Sequence, residues 1–120
     1  KKLIISIQKN KNITLIVDGI KEKKGQDIIV IDLLNISNAP CSFFVICSAT
    51  SRIQVNAIIN NIIKLLYERL GLRVLRDEGR HSDWCVLDYF DIVIHVFTEE
   101  TREHYKLEKL WADGIIKNII

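Results

Sequence analysis

An α/β fold, a mixed β-sheet of about five strands flanked by helices, is predicted by three features of this sequence. Apolar residues recur at helical spacing in two stretches, first Ile13, Ile16, Val17 and Ile20, then Ile53, Ala57, Ile58, Ile62, Leu65 and Leu66. Between them, Asp27–Leu33 and Ser42–Ser48 are nearly continuous apolar runs, too hydrophobic to leave either sheet face in water. Further on, Trp84–Tyr89 and Asp91–Phe97 read as two strands joined by a tight connection.

Each element follows from local chemistry. The first helix spans about residues 13 to 24, with Asn12 as N-cap and Gly25 as C-cap. Ahead of it, Leu3, Ile4, Ile5 and Ile7 fit neither the helix nor the strand period, so residues 1–12 are an arm or a helix extension. Asn, Ser and the only proline mark Asn35–Pro40 as the loop between the first two strands. Thr50 or Ser51 caps the second helix, which ends at Gly71 and leads to a short strand at Arg73–Leu75. A turn at Gly79–Ser82 precedes the last two strands, and Thr98 caps a helix that starts with Glu99 and Glu100. In that helix Tyr105, Leu107, Leu110 and Trp111 form an amphipathic face for the sheet, before a short apolar tail.

The 120 residues, 48% hydrophobic, suit one core, so residues 1–120 read as a single domain. The apolar runs are far shorter than the roughly 20 residues of a membrane span, and no signal-peptide core is visible. Cys41, Cys47 and Cys85 are odd in number and form no Cys-x-x-Cys pair; as small hydrophobes they fit a reduced, cytoplasmic setting. Charge is unevenly spread. Residues 1–76 carry 12 basic against 5 acidic side chains, a net +7, whereas residues 77–113 carry 4 against 10, a net −6. The acidic half suits a basic partner, and the basic half suits nucleic acid or plain solvation.

The strand at Trp84 carries the functional signal. Alternation puts Trp84, Val86 and Asp88 on one face and Cys85, Leu87 and Tyr89 on the other. A large aromatic, an aliphatic and an acid together have the composition of a docking surface, with a covering helix as the structural alternative. Catalysis finds less support. Asp88 and Asp91 lie three apart rather than on one strand face, and Ser48-Ala49-Thr50-Ser51 lacks the glycine that lets a backbone approach phosphate. A Cys47 or Cys85 nucleophile with His95 as base, or a metal held by the same residues, depends on proximity alone, while a hydrogen-bonded core histidine is the simpler reading. No metal site and no cofactor is expected.

Four stretches in register resemble one family: Gln26–Asp32, Phe43–Val55, Trp84–Phe97 and Arg102–Asp113. They are similar to the ribosomal silencing factors, also called RsfS or Iojap, over about residues 13 to 113. The resemblance implies a nucleotidyltransferase-like topology without the enzyme, and a translation repressor active when nutrients are short. It implies binding to the large ribosomal subunit through ribosomal protein fourteen, which sterically blocks joining of the small subunit. The positions matching the contact strand and its approach are Glu78, Asp83, Trp84, Val86 and Asp88. Ser42-Phe43 stands where the family usually has Asp-Tyr, Phe90 where Gly is usual, and the N-terminal arm is richer in lysine. The rival readings are a ribosomal-RNA-binding or ribosome-assembly module using Lys1, Lys2, Lys9, Lys11, Lys21, Lys23 and Lys24, and a nucleotidyltransferase-like enzyme. Exposed strand edges would also allow a homodimer of the free protein.

Overall fold

The computed structural model describes residues 10–120, so Lys1–Lys9, with most of the basic arm, lie outside the described residues. Helix α1 (Lys11–Glu22) begins where the Asn10 side chain accepts the Ile13 amide at 3.1 Å. Asn10 rather than Asn12 is the cap, because Asn10 holds the extended backbone a cap requires while Asn12 is already helical. At the other end Lys24 takes the left-handed position (φ 62°), and Gly25 donates to the Ile20 carbonyl at 3.0 Å. This is a Schellman closure in which the expected capping glycine sits one residue past the left-handed turn.

Strand β1 (Gln26–Asp32) runs antiparallel to β2 (Phe43–Ala49) across the Asn35–Pro40 loop. Helix α2 (Arg52–Leu70) is capped by Ser51, which accepts the Gln54 amide, and stops at Gly71 with φ 66°, as cap chemistry predicts. Then come β3 (Arg76–Glu78), β4 (Trp84–Asp88), β5 (Ile92–Thr98), α3 (Glu99–Tyr105), α4 (Leu107–Leu110) and β6 (Ile115–Asn118). The sheet has six strands in the order β3-β4-β5-β2-β1-β6, with β2 and β5 parallel and the other neighbours antiparallel. The sixth strand is the tail, which pairs with β1 through Ile31 and Ile116. The third strand lies three residues later than Arg73–Leu75. Val74 leaves the sheet to pack on the helices, and the charged Arg76–Glu78 serves as an exposed edge.

Both faces of the centre are covered, and β2 is buried along its whole length. Helices α1 and α2 cover one face, where Ile16, Ile20, Ile58, Ile62, Val45 and Ile94 form the larger core. On the opposite face, Ile31, Phe44, Ile46 and Phe97 pack with Leu107 and Trp111. The expected single C-terminal helix is broken. Lys106, at φ 50°, ends α3 and starts α4, which leaves Leu110 75% exposed while Leu107 and Trp111 reach the sheet. The break accompanies Arg102. Its buried guanidinium donates to the Asp27 carbonyl and the Ser48 hydroxyl, and Glu108 folds back to it at 3.2 Å. Thr98 occupies the N-cap position of α3, but its hydroxyl bonds Thr101 instead of a backbone amide.

Candidate docking surface on the open sheet face

Antiparallel register places Glu78 opposite Val86, Val86 opposite His95, and Trp84 opposite Phe97. Directly paired residues share a face, so Glu78, Trp84, Val86 and Asp88 come together beside His95 and Phe97. Helices α3 and α4 lie over β5 and β2, and the β3–β4 margin stays open: Glu78 is exposed, and Trp84, Val86 and Asp88 are half-buried.

Trp84 is partly core and partly surface. Its indole stacks on Phe97 with centroids 4.8 Å apart and leans on Tyr105 at 4.9 Å. Its Nε1–H donates to His95 Nδ1 at 3.1 Å. An indole N–H only donates, so Nδ1 must accept and the imidazole proton sits on Nε2. His95 is 7% exposed, and burial pulls its pKa down to about 4, which keeps the ring neutral. The rest of the Trp84 face borders an open cleft of about 900 Å³ whose lining includes Asp83, Thr98, Glu100, Glu103 and Tyr105. Glu100 and Glu103 thus extend the acidic rim beyond the expected residues. In sequence Glu100 read only as favourable charge at a helix start, and Glu103 carried no separate signal.

Asp83 and Asp88 have internal partners. Asp83 takes two hydrogen bonds from Arg52, the first residue of α2, at 3.0 and 3.1 Å. Those bonds hold its carboxyl below the usual range. Asp88 accepts the Phe90 amide at 2.8 Å and lies 3.6 Å from Arg76. It therefore shapes the hairpin as well as facing outward. In that hairpin Phe90 has φ 76°, and the Asp91 amide bonds the Tyr89 carbonyl at 3.0 Å. A γ-turn of this hand suits glycine. Phe90 holds it while 77% exposed as a residue.

The approach to β4 is clamped by α2. Asn56 accepts the His81 amide at 3.1 Å and Arg80 donates to Asn60 at 2.7 Å. Gly79, at φ 87°, passes so close to the Trp84 carbonyl that no side chain fits there. Sequence reading missed Asn56, Asn60 and Arg52, because their partners lie 20 to 31 residues away.

The Cys–His idea fails on geometry. Cys47 pairs with Val96 and Cys85 also pairs with Val96, so both thiols point to the helix-covered face, opposite to His95. Burial pushes the Cys47 thiol up to about 12 and that of Cys85 to about 11, leaving both protonated. What the open face offers is apolar contact from Trp84 and Val86 beside negative charge, a combination suited to a basic protein surface.

Comparison with known proteins agrees with this architecture. Residues 6–119 match the family described as "Ribosomal silencing factor during starvation". The chain is 36% identical to ribosomal silencing factor RsfS of Halalkalibacterium halodurans, covering 83% of this chain and 85% of that one. With RsfS of Bacillus subtilis it shares 35% identity over 82% of each chain. A crystal structure of a Chromobacterium violaceum protein superposes with a TM-score of 0.79 at 28% identity, covering 85% of this chain and 84% of that one. No helix among the described residues is long and apolar enough to cross a membrane. The chain belongs to the ribosomal silencing factor family.

Proposed function

We propose that this chain represses translation by binding the large ribosomal subunit through ribosomal protein fourteen, and so sterically blocks joining of the small subunit when nutrients are short. The observation that carries the reading is the open face of β4: a chain of this family presents Trp84 and Val86 half-exposed, next to Glu78 and Asp88. Burial of the aromatic and aliphatic groups supplies affinity, and the acids orient a basic partner and speed its approach. Asp83, held by Arg52, anchors the start of the strand. No chemical step is required; occupancy of the joining surface is the whole effect.

The reading treats residues 1–120 as one non-enzymatic, cytoplasmic domain. Exposed Lys23 and Lys24 at the end of α1 add an accessory contact to ribosomal RNA, and the edge strands β3 and β6 pair two free copies into a homodimer. The test is binding of the full chain to purified ribosomal protein fourteen. Val86→Lys sets a charge into the centre of the face and is expected to weaken binding by roughly 2 kcal/mol, about thirtyfold. An unchanged affinity in a folded variant would refute the proposed surface.

A further inference from the structure

We infer that His95 is the positioning residue of the docking strand: its Nδ1 holds the Trp84 indole in the orientation that meets the partner. The inference rests on the docking reading above and names how that site is kept ready. His95 lies one strand over from Trp84, paired directly with Val86, so a single ladder register brings the two rings diagonally together.

The other contacts of the indole, Phe97 and Tyr105, are apolar and tolerate sliding or rotation. The bond from Nε1–H to Nδ1 at 3.1 Å is directional and, among the contacts of the indole with the described residues, is its hydrogen bond, which fixes the rotation of the ring. A second observation argues that the histidine is there for this bond. His95 Nε2 is buried with no hydrogen-bond partner among the described residues, although it carries the proton. A residue needed only to fill space would not bring an unsatisfied buried donor; phenylalanine or leucine would pack as well without it. Because the indole N–H is spent on His95, the partner meets only the aromatic surface of Trp84, presented in one orientation before contact. Such preorganisation improves affinity without any added contact.

The first arm uses the unaltered full chain. Nitrogen-15 NMR should show scalar coupling across the hydrogen bond between Trp84 Nε1 and His95 Nδ1, with His95 protonated on Nε2. The second arm measures co-sedimentation with purified large ribosomal subunits for His95→Phe, which keeps a ring but removes the acceptor, and His95→Asn, which returns a carbonyl oxygen near Nδ1. Circular dichroism confirms that each is folded. The expected result is coupling in the wild type, binding roughly three- to tenfold weaker for His95→Phe, and substantial recovery in His95→Asn. An Nδ1-protonated ring, absent coupling, or wild-type affinity in folded His95→Phe would overturn the inference, as would equal weakness in both variants. If His95→Phe does not fold, the coupling and the His95→Asn affinity decide. If the wild-type chain fails to bind subunits, the docking reading falls, and the coupling still decides whether His95 holds the indole.

Discussion

Protonating His95 should destabilise the fold, and the size of the effect follows from its burial. The ordinary imidazole pKa of 6.5 falls to about 4 in the folded chain because the charged ring would be cut off from water. Between those values the unfolded chain binds a proton that the folded chain refuses. The stability that His95 contributes by staying neutral is therefore fully present above pH 6.5 and is lost as the pH falls through about 4. At about 1.4 kcal/mol per pH unit of separation, the loss amounts to roughly 3 kcal/mol, a substantial share of the 5–15 kcal/mol that holds a typical domain together. The imidazolium also has no acceptor to offer, so the Trp84 N–H would face another N–H. Urea unfolding across pH values from about 7.5 to 4.5 should show this loss in the wild type and a much flatter profile in His95→Phe. Carboxylates titrate in both proteins, so the difference between them isolates His95. Equal pH profiles for the two would refute the argument.

Arg102→Met removes hydrogen bonds to Asp27 and Ser48 and leaves Glu108 without its cation. The expected cost is about 3 kcal/mol, read as a fall in Tm of roughly 10 °C; a change of under about 2 °C would mean that Arg102 does not tie α3 to the sheet. Phe90→Gly should relieve about 1–2 kcal/mol of left-handed backbone strain, while added chain entropy in the unfolded state takes back roughly 0.5–1 kcal/mol. Urea unfolding should therefore show a variant as stable as the wild type or slightly more so, and a loss above about 1 kcal/mol would show that the exposed Phe90 ring contributes packing after all.

How much of this was legible depends on how local the cause is. Ser51 and Gly71 bound α2 as expected, because a cap is set by one side chain and one backbone angle. The two buried strands were legible from their apolar runs. Strand β6 was not: Ile115–Asn118 joins β1 through backbone bonds and is mostly exposed, so it leaves no side-chain pattern to read. The break at Lys106 was hidden for a different reason. It accompanies contacts from Arg102 to residues 54 and 75 positions away, which helical periodicity cannot report. On β4, alternation alone put Trp84, Val86 and Asp88 on one face. The partners of that face, His95 for Trp84 and Glu78 for Val86, needed the strand register. The pairing of Asp83 with Arg52 depended on how α2 crosses the sheet.

Co-sedimentation of the full chain with purified large subunits, followed by addition of small subunits, tests the central claim most directly. Wild type and Trp84→Ala should be compared side by side, each shown to be folded. The account predicts that the wild type pellets with the large subunit and lowers the yield of joined particles, while the variant does neither. A wild-type chain that stays in the supernatant, or that binds while joining proceeds at its normal yield, would contradict it.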